Sequence, residues 1–310
     1  MLPRWLRDRI TEMTAAYLPS QLVQAYDNLS RRYRLSPNKR GFHSPLEAVA
    51  YVGARLPATF ACVQRCLEEL PDGYLPATIL DVGCGPGTAT LASLDCFVAS
   101  RCYLFEENPD MVKIGQHLFP SGNWYQENIL VSPSLPQSDL VFFSYVLNEI
   151  PMAHHSTMLD KLWRATNDYL LIVTAGTPDG FAQLRQARHY LIDKGAAIIA
   201  PCPHALSCPL QGKDWCHFSV RLNRSELHRS LKDADLNYED EKFSYLLVSK
   251  HPQGISYHRV IKHPQHRPGH GTIDFCTRLG ELERFSYSKS KSKNFQKLRE
   301  ISWGDRYEPS

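Results

Sequence analysis

Ile79–Thr90 reads ILDVGCGPGTAT, and this stretch decides the fold. A hydrophobic run reaches Asp81, breaks into Gly83, Gly85 and Gly87, and gives way to small residues suited to a helix from Thr88. Glycines permit a tight turn and let a ligand approach the backbone, while the following helix start offers free amides. The spacing is G-x-G-x-G, which differs from the G-x-G-x-x-G of dinucleotide sites. Asp81 stands two residues before the first glycine, where a carboxylate would oppose a pyrophosphate. It suits the cationic amino-acid end of S-adenosylmethionine.

Outward from this loop, short apolar runs alternate with longer stretches able to hold helices. The strand candidates are residues 77–82 (ATILDV), 101–105 (RCYLF), 138–146 (SDLVFFSYV) and 168–174 (DYLLIVT), with 242–250 (KFSYLLVSK) as a late strand closing the sheet. That rhythm predicts an α/β fold, a mostly parallel Rossmann-like sheet of the class I S-adenosylmethionine-dependent methyltransferase type. Glu106 ends the second strand, where a carboxylate can accept bonds from ribose hydroxyls. Asn128 or Glu127 is expected near an adenine edge, and Ser144 at the exit of the fourth strand. No Asn/Asp-Pro-Pro-aromatic motif or Pro-Cys nucleophile for methylation appears, so the acceptor is unnamed and no catalytic residue is assigned.

Residues 1–75 read as helices, and 76–250 as the core carrying an insertion at about 195–223. Residues 251–310 read as a small β-rich appendage whose short strands include 256–263, 271–277, 281–291 and 295–303. Net charge is +3, −5 and +5 across these three parts. Basic ends around an acidic middle suit a core with polyanion-gripping flanks, or equally an ordinary solvated basic face. No apolar run approaches the roughly 20 residues of a spanning helix. The start lacks the apolar core of a secretory signal, so an intracellular, cytoplasmic protein is expected, with the mitochondrial matrix as the alternative.

Nine cysteines in such a chain suggest reduced core thiols plus a metal site. Cys62 and Cys66 share a helix face and read as small buried side chains, as do Cys96 and Cys102. Cys202, Cys208 and Cys216 lie in APCPHALSCPLQGKDWCHF (200–218), and Cys276 lies in GHGTIDFCTRLGELERF (269–285). Gaps of five and seven residues followed by a distant fourth thiol suit a centre that staples two parts of a fold. Spacing leaves a 4Fe–4S cluster and zinc both open, with His204 and His217 able to complete a mixed zinc site.

The chain resembles the small-ribosomal-subunit methyltransferase-like proteins of mitochondria and bacteria. The resemblance rests on AYVGARLPATFACV, ILDVGCGPGTA, VLNEI, AGTPDGF, APCPHALSCPL, DWCHFSVRL, EDEKFSYLLVSK, RVIKHPQHRPGHGTIDFCT and the closing WGD. It implies association with the small ribosomal subunit, contact with rRNA, and S-adenosylmethionine binding. A 4Fe–4S cluster on Cys202, Cys208, Cys216 and Cys276 is implied by it too. Whether methyl transfer or non-catalytic assembly work follows is left open, and the protein is expected to act as a monomer without a membrane partner. Arg31, Arg32, Arg34, Lys262, Arg267, Lys289, Lys291 and Lys293 are the expected phosphate contacts, with Tyr257, Phe285 and Tyr287 as stacking aromatics. His263, His266 and His270 are first a surface segment on rRNA, and only then a metal set.

Overall fold

The computed structural model describes residues 2–35, 41–132, 134–252, 254 and 256–308, apart from the side chains of 33–35. Three helices come first: α1 (Arg4–Ala15), α2 (Pro19–Leu35) and α3 (Pro45–Leu67). The start of α3 follows from its sequence. Ser44 accepts the Glu47 amide, Pro45 takes the first turn, and Glu47 adds a carboxylate at the positive end. By length and composition α3 could cross a bilayer, but 67% of its apolar window is buried inside the protein. It is a core helix.

The larger sheet contains β1 (Thr78–Val82), β2 (Arg101–Glu106), β3 (Asn123–Gln126), β4 (Ser138–Ser144), β5 (Thr166–Ala175), β6 (Ala197–Ala200), β7 (Phe218–Asn223) and β8 (Tyr238–Ser249). Its order is β3-β2-β1-β4-β5-β8-β6, with β7 also paired to β8. Strands β1 to β5 pair in parallel. Helices cover both faces, so the central strands read as continuous apolar runs. On one face Ile79, Phe142 and Leu171 pack with α3 and with α4 (Thr88–Leu94) and α5 (Pro109–Leu118). On the other, Leu80, Val141 and Ile172 meet α6 (His155–Ala165) and α7 (Pro178–Asp193). Strand order reverses between β1 and β4, and ligands of such sheets bind at the carboxyl ends beside that reversal.

Two expectations change. Residues 242–250 do not close the sheet: β8 runs antiparallel between β5 on one side and β6 and β7 on the other. Its apolar content fits because it is covered on both faces and paired along both edges. Residues 295–303 hold a helix instead of a strand, since Phe295 and Leu298 stand one helical turn apart and pack on the same core.

The short helix α8 (Glu226–Leu231) precedes β8. A second sheet follows, built from β9 (His258–Val260), β10 (Gln265–Arg267), β11 (His270–Cys276), β12 (Leu282–Ser288) and β13 (Arg306–Tyr307), with α9 (Phe295–Glu300) against it. β11 is its centre, pairing with β10, β12 and β9. Register sets Cys276 opposite Arg259, which determines where this sheet meets the core.

Candidate functional site

The first cavity lies at the strand-order reversal, about 110 Å³ in volume, and Asp81, Gly83, Gly85, Glu106 and Ser144 all line it. Gly83 needs its φ of 67°, and a Cβ there would stand 2.6 Å from Val146. Gly85 also has positive φ, but nothing stands near its missing Cβ, so its backbone is open to the cavity. Gly87 is the N-cap of α4 and packs on Leu104 and Trp124. Its role is to start the helix.

Glu106 accepts the Gly85 amide at 2.9 Å and the Asn108 amide at 2.8 Å. Asp81 is 1% exposed and accepts both the amide and the hydroxyl of Thr90. Burial raises Asp81 to about 7 despite those bonds. The Ser144 hydroxyl oxygen is buried with no protein partner. A buried carboxylate, an open glycine backbone and an unpartnered hydroxyl fit the amino-acid and ribose ends of S-adenosylmethionine. Asn128 does not line this cavity among the described residues; its side-chain oxygen accepts the Leu130 amide.

The second constellation is the thiols. Cys202, Cys208, Cys216 and Cys276 line a single apolar cavity between the core and the second sheet, together with Arg188, His204 and Arg259. Arg188 donates from Nε to Cys202 Sγ at 3.3 Å and from Nη2 to the His204 carbonyl at 2.7 Å. His204 is buried, with Nε2 3.4 Å from Cys276 Sγ. Burial, then repulsion from neighbouring sulfurs, pushes Cys276 up to about 12 and also raises Cys216 well above the usual thiol range. Among the described residues no three His, Cys, Asp or Glu side chains are gathered closely enough to hold one metal ion. His217 stacks on Trp215 and meets Trp303 edge-on, and it does not line the thiol cavity.

Arg259 carries the junction. It is 1% exposed, and it donates to both Glu69 oxygens, to the carbonyls of Gly304 and Pro201, and to the Tyr257 hydroxyl. Arg306 also pairs with Glu69. Burial alone would raise Glu69; the two guanidiniums overcome it and hold the carboxyl down at about 2. Nothing in HRV (258–260) marks Arg259 as buried. Arg188 did have a signal, because it sits on the apolar stripe Leu184, Ala187, Leu191 of α7.

The remaining cysteines separate cleanly. Cys62, Cys66 and Cys102 are buried, as expected, while Cys96 is exposed. The basic residues separate too. Arg32 is bound to Glu47 through both its terminal nitrogens and reaches the Gly41 carbonyl, so it braces α2 against α3. Lys262 pairs with Asp214 at 3.0 Å on the surface. Arg31, Arg267, Lys289, Lys291 and Lys293 are exposed, and the Arg34 side chain lies outside the described residues. Tyr257 and Tyr287 are buried and unavailable to bases; Tyr287 packs in the second sheet's core, and Tyr257 donates to the Ile199 carbonyl of β6. His266 bonds Tyr287 and the Ile301 carbonyl, a fixing role within that sheet.

The sheet order, the open glycine turn and its flanking carboxylates define a protein of the S-adenosylmethionine-dependent methyltransferase fold. The family described as mitochondrial small ribosomal subunit Rsm22 matches residues 45–308, and the chain belongs to it. Human METTL17, a mitochondrial ribosome assembly protein, is 26% identical over 83% of this chain and 62% of its own length. RSM22 of Saccharomyces cerevisiae, also named a mitochondrial ribosome assembly protein, is 21% identical over 94% of this chain and 72% of its own. The chain thus spans less than two thirds of the human relative's length. Among solved structures, the Synechocystis magnesium protoporphyrin IX methyltransferase with bound SAM is 15% identical with a TM-score of 0.40, covering 73% of this chain and 97% of that one. A Leishmania major SAM-dependent methyltransferase is 11% identical at 0.43, covering 73% and 83%.

Proposed function

We propose that this protein serves small-ribosomal-subunit assembly, binding S-adenosylmethionine in the glycine-loop cavity and an iron–sulfur cluster at the thiol cavity while its basic ends grip rRNA. The observation that carries this reading is the family match, which runs through both the glycine loop and the thiol-bearing second sheet. The relatives' names add assembly work and favour the mitochondrial matrix over the cytoplasm for this chain as well.

Bound S-adenosylmethionine would supply an electrophilic methyl on a sulfonium. The protein's part is positioning: Asp81 faces the amino-acid end, Glu106 the ribose, and Gly85 leaves room beside both. Transfer from a sulfonium needs in-line placement above all, so the lack of an assigned base leaves activity possible. At the second cavity the four thiols ring a shared space without being gathered around one point. A cluster with separated corners suits that spread better than a single tetrahedral zinc. Arg188 would add an N–H donor to Cys202, the kind of outer contact that orients a metal ligand.

For rRNA, the candidates are Arg31, Arg267, Lys262, Lys289, Lys291 and Lys293; Arg32 is withdrawn by its bond to Glu47. Methyl transfer from tritiated donor to immature small subunits tests the enzymatic form of this reading. Co-sedimentation with those subunits, without transfer, would favour the non-catalytic assembly factor. Absence of both transfer and sedimentation would overturn the ribosomal reading. Iron and zinc analysis after anaerobic purification decides the metal.

A further inference from the structure

The lining of the thiol cavity includes three guanidiniums, Arg185, Arg188 and Arg259, and among the described residues no aspartate or glutamate joins them there. Two of the three have their charge met elsewhere. Arg259 is paired with Glu69. Arg185 is exposed to solvent, with Nη1 on the Leu210 carbonyl and its guanidinium over the Phe181 ring. Arg188 has neither remedy. It is only 7% exposed, and among the described residues its bonds go to Cys202 Sγ and the His204 carbonyl, with no carboxylate in an ion pair to it.

A guanidinium keeps its charge when buried, and taking a cation out of water is costly unless an opposite charge stands close. The burial is built into α7, because position 188 falls on the same inward stripe as Leu184, Ala187 and Leu191. The groups able to supply the missing negative charge are the four thiols of the lining. As thiolates around a metal they carry two charges more than a divalent zinc ion or an oxidised four-iron core supplies, so the assembly is a dianion.

We propose that Arg188 is the buried counter-charge of an anionic, thiolate-held metal centre, and that the cavity selects its occupant by net negative charge. The inference rests on the metal reading above and goes further: the bond to Cys202 is the means of contact, and the positive charge is what the centre requires. Nε reaches Cys202 Sγ at 3.3 Å while Nη2 is anchored on the His204 carbonyl at 2.7 Å, so the planar fork is aimed at one corner of the thiol set. A neutral occupant would leave Arg188 uncompensated. Beside an iron–sulfur cluster the same charge would favour the electron-rich form.

The test compares the whole chain with Arg188→Lys, which keeps the charge, and Arg188→Gln, which keeps an N–H donor without it. Each is purified anaerobically and challenged with rising EDTA while bound iron and zinc are measured. Arg188→Gln should release its metal at about tenfold lower chelator than wild type, the scale of losing an outer contact to a metal ligand, and Arg188→Lys should stay close to wild type. Where the metal is iron, Arg188→Gln should also move the reduction equilibrium about tenfold toward the oxidised form, a potential about 59 mV more negative, with Arg188→Lys hardly shifted. Disturbed packing would move both variants together. Metal held equally by all three chains, equal losses in the lysine and glutamine variants, or an iron centre whose potential ignores Arg188→Gln would overturn this proposal alone. A wild-type chain that binds neither iron nor zinc would overturn the metal reading, and this inference with it.

Discussion

The glycine-loop cavity and the thiol cavity are built in opposite ways. The first is centred on one turn and three strand ends that the parallel sheet brings together, closed over by residues of α3, α4 and α5. The second is made by side chains from α7, an irregular segment, β7, β8, β9 and β11, residues up to 95 positions apart along the chain between Phe181 and Cys276. A turn survives many changes around it; a long-range cluster depends on each member. The glycine-loop cavity should therefore fail by degrees, and the thiol cavity abruptly.

The largest expected effect follows from Cys276→Ser. If a cluster joins the core to the second sheet, its binding free energy is also joining energy, on the order of 10 kcal/mol by analogy with four-thiolate metal sites. Iron content should fall to background, and residues 258–307 should become sensitive to limited proteolysis while the core stays resistant. An equally protected second sheet and unchanged iron would remove the staple. Removing the metal with a chelator should reproduce the variant's proteolysis pattern in the wild-type chain.

Arg259→Met comes next and probes the same junction without touching a thiol. It removes the most buried partner of Glu69, leaving Arg306 and Arg65 on it, and takes the donor from the Pro201 carbonyl; breaking a buried pair in this way costs about 3–5 kcal/mol. The pH dependence has a definite sign. Glu69 is held down from 4.5 to about 2, so its contribution is complete above 4.5 and is lost as pH falls toward 2. That contribution is about 3 kcal/mol. Acid melts of the wild type should show this loss, and Arg259→Met should flatten most of it.

Two alanines sharpen the view of the donor loop. Gly83→Ala places a Cβ 2.6 Å from Val146 in a left-handed turn and should cost about 2 kcal/mol of stability. Gly85→Ala has open space around its Cβ, so stability should fall by only about 1 kcal/mol. Donor affinity should suffer more in the second variant, because the new methyl enters the cavity. Thermal melts beside donor titrations separate the two, and a Gly83→Ala chain as stable as wild type would contradict the close approach.

How much of this was legible in the chain depends on range. Asp81, Gly83, Gly85 and Glu106 announce themselves, since a strand, a turn and a helix start are local and the second strand's end lies a fixed distance on. Ser144 followed from its place at a strand exit, whereas Asn128 missed because a short polar side chain after β3 was captured by its own backbone at Leu130. The four cysteines were legible as a set through their odd spacing. Their surroundings were not: Arg259 and Glu69 lie 190 positions apart, and a short strand gives no periodicity from which to read burial. Arg32 was misread for the same reason, because a cation in a basic run looks solvated until its partner, Glu47, is placed beside it.

The last prediction returns to Asp81. Burial raises it from 3.8 to about 7, so in the unliganded protein the carboxyl is largely neutral near pH 6 and ionised above pH 7. The sign for stability is the reverse of Glu69: the folded chain favours the protonated form, and stability falls as pH climbs from 3.8 through 7. A bound cation favours the carboxylate, so S-adenosylmethionine affinity should rise about tenfold between about pH 6 and pH 8 and then level off. Asp81→Asn should flatten both the affinity profile and the stability decline. Methylthioadenosine, which lacks the amino-acid end, serves as the control ligand, and its binding should hardly change across that range. The same tenfold slope with that ligand would mean that Asp81 does not face the amino group, and that the donor lies in this cavity the other way round.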